Sequence, residues 1–351
     1  MDSLTHALSG ALIARATAPK DPAPGTLPLG RRVMVGFFAA AFPDADVVFS
    51  YISPLAYLYH HRGITHSVPL LPLWAVALAW LFAYIWRNKP GWRAYAGVAA
   101  LGLGVHIFGD WITSFGTMIL APFSDWRAAL STTFIIDLWF TGIILAALLA
   151  AALWRSSRVP AIAGLAILCA YIGLQYAVQS RALEFGAEYA RTARLEGASI
   201  SAQPRPVSPF NWMVVVDEGS RYHYSLLNFA RREVPVLPPD AGLIARLGAP
   251  YLPPRHAVWV TLDRFGAGRA EAAVAKEAFD AADFAFFRWF ARYPVLYRVD
   301  RGNPETCVWF QDLRFFTPGR SRWPFRYGMC RQPGAAWRPY ELENGARFPV
   351  Y

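Results

Sequence analysis

Four long stretches that are almost free of charge dominate the first half of this chain, at residues 67–86, 95–108, 134–154 and 160–178. Apolar stretches of this kind are typical of transmembrane helices, which cross about 30 Å of hydrocarbon with about twenty residues. The shorter second stretch is extended by residues 91–93 and 109–113. A composition that is 55% hydrophobic, with 14 Trp, is also too apolar for an ordinary soluble enzyme. The sequence therefore predicts an α-helical integral membrane protein.

Two more helices are expected upstream. Residues 3–16 are too short for a full span, and they lack the basic start and cleavage site of a secretory signal peptide, so a partly inserted helix is expected there. Residues 31–41 run into Phe42-Pro43-Asp44-Ala45-Asp46, where the proline predicts a break in the helix. The membrane part should thus contain about four or five transmembrane or partly inserted helices.

The second half is a different kind of sequence. Residues 181–351 are mixed in polarity and carry 23 of the 34 Lys and Arg. Alternating segments predict a hairpin at 212–216 with 222–229, a helix at 270–290, and a second hairpin at 306–316 with 325–331. We therefore expect two domains, a helical membrane domain at residues 1–180 and a small C-terminal α+β soluble domain at residues 181–351.

The distribution of cations predicts the orientation. Loops 15–32, 87–93 and 155–158 hold nine Lys and Arg, whereas the alternate loops, at 50–65 and 109–133, hold two. Cytoplasmic loops carry the excess of Lys and Arg, so the first set is expected inside. The last span then ends outside, which makes the C-terminal domain extracytoplasmic.

Ionisable side chains recur at the ends of the hydrophobic segments. Such groups are costly at membrane depth and are functional by default. They all fall on the predicted extracytoplasmic face, although the cation count did not use them: His6, Asp44, Asp46, His66, His106, Asp110 and Asp137. Ionisable residues scattered through a protein core would not be expected to lie on the same face of the membrane. The pattern predicts a metal site at one face of a bilayer.

The local chemistry fits a divalent metal. His106 and Asp110 are four residues apart, on one helical face, so both can address one ion. Imidazole and carboxylate ligands suit zinc, with manganese or iron as alternatives. Asp44 and Asp46 can bridge two ions or orient a ligand histidine. His61 and His66 flank a glycine turn with Arg62, whose planar fork matches a phosphate or carboxylate.

Each of these residues also has an explanation without a metal. A His-x-x-x-Asp pair is often a helix surface pair, His6 alone is an interfacial histidine, and Asp-x-Asp after proline is usually a turn. Asp137 at a helix start is equally well explained as a cap. His60, beside His61, is more simply solvated. The metal hypothesis therefore depends on all of these residues occurring together on one face of the membrane.

Four segments carry a resemblance to a known family: Met1-Asp2-Ser3-Leu4-Thr5-His6, Phe42-Pro43-Asp44-Ala45-Asp46, His61-Arg62-Gly63-Ile64-Thr65-His66-Ser67, and His106-Ile107-Phe108-Gly109-Asp110-Trp111. They resemble the YdjM-like bacterial inner-membrane proteins, described as membrane-bound metal-dependent hydrolases, over residues 1–180. The resemblance implies that His6, Asp44, His66, His106 and Asp110 match the family's metal motif. That family is distantly similar to zinc-dependent phospholipases C and single-strand nucleases.

The expected function is a metal-dependent hydrolase of the bacterial inner membrane, acting on a phospholipid or another lipid-linked phosphoester. His6, Asp44, His66, His106 and Asp110 are the expected ligands. Asp137, His61 and Asp46 would bind a second ion or orient ligands, and Arg62 would stabilise an oxyanion. The main alternative is a non-catalytic membrane protein with a structural or transported metal. A third hypothesis is a scaffold protein that binds no metal and whose polar groups pair only with one another.

Charge and cysteines indicate the surroundings. The formal charge of +10 comes mainly from the second half, and a basic surface beside a bilayer is expected to attract anionic lipid headgroups rather than nucleic acid. An oxidising compartment would allow Cys307 and Cys330 to pair across the second hairpin. Cys169 lies within a predicted span. His223 and His256 are isolated and more simply structural.

Overall fold

The computed structural model describes residues 1–21, 23–87, 90–302, 304–319 and 323–350. The loop cation Lys89 and residues 320–322 of the turn between Cys307 and Cys330 fall outside these ranges. The chain forms two compact units. The first comprises Met1–Phe49, Tyr59–Val178 and Pro206–Pro209, and the second comprises Ser50–Leu58, Gln179–Arg205 and the chain from Phe210 onward.

Helices form the first half of the chain. In order they are α1 Ser3–Ala16, α2 Leu29–Ala41, α3 Pro54–His60, α4 Leu71–Ile85, α5 Arg93–Trp111, α6 Leu138–Leu153 and α7 Val159–Thr192. Short 3-10 helices follow α2 at Phe42–Tyr51 and precede α4 at Ile64–His66. The predicted helix at residues 3–16 is confirmed. At the predicted break after residue 41 the α-helix changes to a 3-10 helix, and the helical segment continues to Tyr51.

Two helical segments are long and apolar enough to cross a membrane, Leu29–Tyr51 with 23 residues and Val159–Thr192 with 34. Pro54–His66 and Leu71–Ile85 pass the same test together but bend by 82°, as a broken span or a re-entrant loop does. α6 is apolar, but a helix of 16 residues reaches only roughly 24 Å of a hydrocarbon core of about 30 Å. Among the described residues there are thus two candidate spans, or three with the bent pair. The expectation of about four or five inserted helices stays a prediction.

Three glycines bring α1, α2 and α5 into backbone contact. A Cβ added to Gly10 would lie 2.1 Å from the carbonyl oxygen of Gly36, and one added to Gly102 would lie 2.9 Å from the same oxygen. Small residues at such crossings let helix backbones approach closely. His6 lies one helical turn before Gly10 and His106 one turn after Gly102. This contact therefore sets how far apart the two histidines are held.

The second half consists mainly of two antiparallel sheets. The first contains β1 Ser199–Pro204, β2 Asn211–Asp217, β3 Arg221–Asn228 and β4 Val260–Asp263, and the second contains β5 Pro294–Arg301, β6 Thr306–Asp312, β7 Tyr327–Arg331, β8 Arg338–Glu343 and β9 Ala346–Pro349. In both sheets each strand pairs with the next one along the chain. The two predicted hairpins are confirmed as β2–β3 and β6–β7. Three short helices accompany the sheets, α8 Leu243–Gly248, α9 Arg269–Asp280 and α10 Ala285–Phe290.

The prediction of one continuous helix at residues 270–290 is wrong, because the helix is interrupted at Ala281. The backbone at Ala281 is not helical, with φ −54° and ψ 139°, and a 3-10 turn at Ala282–Phe284 separates α9 from α10. Phe284 and Phe287 are fully buried and stack with ring centroids 4.9 Å apart. Packing of these rings accompanies the break that the helical spacing did not predict.

A disulfide joins Cys307 in β6 to Cys330 in β7. The two residues are direct partners in the antiparallel register. Cys169 is a free cysteine exposed on α7. The pairing expected of an oxidising compartment is thus present in the fold.

Candidate metal centre

Four of the predicted site residues come together in the first unit. His106 and Asp110 lie on α5, Asp44 lies in the 3-10 helix after α2, and His66 ends the 3-10 turn before α4. Each offers one ligand atom, and these four atoms all lie within 4.8 Å of one another. His66, His106 and Asp110 have no exposed surface. Residues far apart in sequence therefore form one buried group, the four-residue cluster.

The spacing of the donor atoms suits a single divalent ion. The Nε2 atoms of His66 and His106 are 2.9 Å apart, and Asp110 Oδ2 lies 3.1 Å from the first and 3.5 Å from the second. Asp44 Oδ1 lies 3.8 Å and 3.7 Å from the same two nitrogens. Tetrahedral ligands at zinc bond lengths are about 3.3 Å from one another. The observed separations bracket that value.

An orphaned oxygen supports the same fit. Asp110 Oδ2, which faces both Nε2 atoms, is buried and accepts no hydrogen bond from any residue in the described ranges. A buried carboxylate oxygen without a donor is costly, and a cation is the usual compensation. The donor set of two imidazoles and two carboxylates therefore suits zinc, manganese or iron.

Backbone and hydroxyl groups orient the two imidazoles. His106 Nδ1 donates to the carbonyl of Ala40 at 2.6 Å, so a neutral His106 ring presents its lone pair at Nε2. His66 Nδ1 lies 2.9 Å from Thr65 Oγ1 and 3.5 Å from Asp46 Oδ2. Both rings thus direct Nε2 toward the cluster.

Asp46 supports the loop that carries His66. Its carboxylate accepts from the backbone N–H of Arg62 at 2.9 Å and contacts His61 Nδ1 at 2.8 Å. The Thr65 hydroxyl donates to it at 3.3 Å. Asp44 and Asp46, two residues apart, therefore have different partners: Asp44 belongs to the cluster, and Asp46 holds residues 61–66 beside it.

Arg62 is buried and paired with the cluster. Its side chain is 2% exposed, and its Nη2 lies 2.8 Å from Asp110 Oδ1. Its Nη1 donates to Thr113 Oγ1 at 3.0 Å, and its guanidinium lies 4.8 Å from the centre of the Phe115 ring. The two oxygens of Asp110 are thus divided, Oδ1 toward Arg62 and Oδ2 toward the two histidines.

His6 also lies against Asp110. Its Nε2 is 2.9 Å from Asp110 Oδ1, and its ring stacks on His106 with centroids 3.7 Å apart. The Met1 amino group contacts the same Asp110 oxygen. His6 is therefore next to the four-residue cluster but is not one of its members. Its role as a direct ligand stays a prediction.

Asp137 lies outside the cluster. Its carboxylate caps α6 by accepting from the backbone N–H groups of Trp139 and Phe140, both at 3.0 Å. The Tyr171 hydroxyl and the Gln175 amide also donate to it, each at 2.9 Å. These contacts are those of the helix-capping alternative.

Several contact residues were not predicted from the sequence. Thr113 and Phe115 lie just after α5, and both contact Arg62. Arg127 packs on the same Phe115 ring, with its guanidinium 4.9 Å from the ring centre. The Ala40 carbonyl is a backbone partner, which no side-chain pattern reveals. Of these partners of the site residues, only Thr65, which contacts Asp46 and His66, belongs to one of the predicted motifs, residues 61–67.

No solved structure matches this chain significantly. Among curated proteins it is similar to the uncharacterized protein YfhP of Bacillus subtilis (strain 168), with 29% identity over 175 residues. The match covers 49% of this chain and 52% of that protein, so the chain spans about half the length of this relative. The sequence profile described as YdjM inner membrane protein matches residues 1–182, which hold all of the site residues. This chain belongs to the YdjM inner membrane protein family.

Proposed function

We propose that this chain is a membrane-bound metal-dependent hydrolase that cleaves a phospholipid or another lipid-linked phosphoester. The observation that carries the proposal is the four-residue cluster of Asp44, His66, His106 and Asp110, whose donor atoms have the spacing of one ion's ligands. Family membership is consistent with a membrane location, and the hydrolytic activity and the substrate are our inference.

The roles of the residues follow from their contacts. A divalent ion held by the cluster would supply Lewis acidity, which activates water and polarises an ester at neutral pH. Asp46 orients His61 through Nδ1, which suits His61 to accept or return a proton. Arg62 holds Asp110 in place, and its Nε has no hydrogen-bond partner among the described residues. That N–H is suited to a substrate anion.

Exposed apolar side chains beside the cluster favour an amphiphilic substrate. Val68 follows His66 by two residues and is 52% exposed. Val48, four residues after Asp44, is 55% exposed. An apolar rim next to buried polar donors suits a molecule with acyl chains and a phosphorylated headgroup.

The proposed setting is the bacterial inner membrane, with about four or five inserted helices and with the cluster and the C-terminal domain on the extracytoplasmic side. The length of α7 and the cation distribution between loops support this arrangement. Membrane lipids are then both the surroundings and the source of substrate.

An activity screen tests the proposal. Full-length, metal-loaded protein in detergent should release a phosphorylated or diacylglycerol product from phospholipid or lipid-phosphate extracts. Asp44→Asn should abolish the reaction, and His61→Ala should reduce it strongly, while the neighbouring His60→Ala should leave it unchanged. Arg62→Lys should keep the metal but lower turnover, because one ammonium cannot contact Asp110 and Thr113 and also offer the separate Nε–H to a substrate anion.

A negative activity screen would favour a different function. If metal-loaded wild-type protein cleaves no lipid phosphoester, the cluster would be a structural or transported-metal site, which is the non-catalytic alternative. Full activity in Arg62→Lys would assign Arg62 to the fold rather than to a phosphoester substrate.

A further inference from the structure

A second polar feature lies at the other end of α1. His6 is near the start of that helix and Arg15 is near its end, nine residues or roughly 14 Å further along the axis. A cavity of about 400 Å³ opens there, between the end of α1, the start of α2 and the loop before α7. It is lined by five cationic side chains, those of Arg15, Lys20, Arg32, Arg155 and Arg158.

In the described part of the chain, no acidic side chain neutralises the five cations of this cavity. None of the five forms an ion pair with a carboxylate in the described ranges, and no acidic side chain is among the lining residues. Asp21, the acid next to Lys20, is exposed and does not line the cavity. Arg15 is only 7% exposed. A buried guanidinium without a carboxylate is rare, because no opposite charge offsets the cost of removing it from water.

Backbone carbonyls fix three of the guanidinium groups. Arg15 donates to the carbonyls of Arg155 and Ser157, and Arg32 donates to those of Ala14 and Thr17. Arg158 donates to the carbonyl of Ala18 at 3.2 Å. These bonds hold the arginines in place but leave their charges unneutralised. Five-donor guanidinium groups fixed around one cavity match the oxygens of a phosphate group.

We infer that this basic cavity binds a phosphate-bearing anion, and that its source is the headgroup of an anionic phospholipid. The lipid source is favoured because the cavity lies at the ends of helices in the membrane-associated half of the chain, where basic clusters attract anionic headgroups. A free phosphate offers the same chemistry. This site is separate from the metal cluster and does not depend on the proposed hydrolysis.

Lys20 and Arg155 are the side chains to change. Both are exposed, and their side chains donate none of the hydrogen bonds described above, so Lys20→Gln with Arg155→Gln removes two charges without removing a carbonyl contact. The matched control is Arg87→Gln with Arg93→Gln, which removes two exposed cations from predicted loops of the same side and outside the cavity lining.

The experiment uses delipidated full-length protein in a neutral detergent, titrated separately with short-chain phosphatidylglycerol, short-chain phosphatidylcholine and inorganic phosphate, with binding followed by calorimetry. We expect phosphatidylglycerol to bind, and the cavity double variant to weaken that binding on the order of tenfold or more, with the control double variant close to wild type. Binding of inorganic phosphate with the same dependence on the variant would support the site with a soluble source. Equal binding of phosphatidylcholine, equal losses in both double variants, or no binding of either anion would overturn the inference.

Discussion

The Nε2 atoms of His66 and His106 face each other at 2.9 Å inside the four-residue cluster. His106 already donates from Nδ1 to the Ala40 carbonyl, so its neutral ring has a lone pair at Nε2. His66 has Asp46 and Thr65 beside its own Nδ1, which favours a proton there. Two lone pairs that face each other repel unless a cation lies between them. The pair is thus arranged for a shared positive charge, with Asp110 Oδ2 3.1 Å from His66 Nε2.

Asp46 should control metal affinity without being a ligand. In Asp46→Asn, the amide cannot accept from His61, the Arg62 N–H and Thr65 as the carboxylate does, so His66 loses its support. We expect metal affinity to fall about 10- to 100-fold, as is typical when a partner of a ligand histidine is removed. Competition with a fluorescent chelator measures this. Asp125→Asn, at an exposed acid, is the control, and an unchanged affinity in Asp46→Asn would contradict the assigned role.

Gly10→Ala should disturb both packing and the metal site. Its methyl group would lie 2.1 Å from the Gly36 carbonyl oxygen, so α1 must shift from α2. Such overpacking costs about 1–3 kcal/mol of unfolding free energy. The same shift should displace His6 from His106. Gly30→Ala on α2 is the matched control, because its methyl group meets nothing within 4 Å. Thermal unfolding in detergent compares them, and equal melting temperatures would refute the close-packing argument.

The redox state of the cysteines shows whether the C-terminal domain is kept in an oxidising compartment. Because Cys307 and Cys330 are paired and Cys169 is exposed, maleimide should label one thiol per chain in denatured, unreduced protein and all three after reduction. Replacing the pair by serine should cost about 3 kcal/mol, since the bond closes a loop of 23 residues. Three reactive thiols in freshly prepared protein would mean that the domain is kept in a reducing compartment.

Reporter fusions test the orientation directly. A fusion after Ser157 should report the cytoplasm, because the loop before α7 carries Arg155 and Arg158. A fusion after Gln203 should report the exterior, because α7 would have crossed the membrane by then. An exterior signal from the first fusion with a cytoplasmic signal from the second would invert the arrangement and would place the metal cluster on the inner side. Cytoplasmic signals from both would mean that α7 does not cross the membrane.

Much of the fold was predictable from local sequence patterns. Charge-free stretches located α4 to α7, and alternating segments located the hairpin of β2 and β3. The limits of α7 were less predictable, because the helix continues to Thr192, beyond the apolar stretch that ends at residue 178. The break at Ala281 was missed since it coincides with tertiary packing of phenylalanine rings, not with a proline or glycine.

For the site, the predicted ligands included the four cluster residues, but they also included His6, which lies beside the cluster, and Asp137, which lies outside it. The i, i+4 spacing placed His106 and Asp110 together. The different contacts of Asp44 and Asp46 depend on the 3-10 geometry of residues 42–51, which the spacing of two does not determine. The burial of Arg62 against Asp110 depends on a contact between residues 48 positions apart. Such pairings arise only when the helices pack.

Elemental analysis of full-length protein purified in detergent tests the central claim most directly. Wild-type protein should contain at least one zinc, manganese or iron ion per chain. His106→Ala and Asp110→Ala should each lose the metal while the protein still inserts and folds, because a ligand on a rigid helix cannot be replaced without losing much of the affinity. His256→Ala, at an exposed histidine of the C-terminal half, should retain full occupancy. Full metal occupancy in both cluster variants, or no metal in the wild type, would contradict the assignment of a metal centre to this cluster.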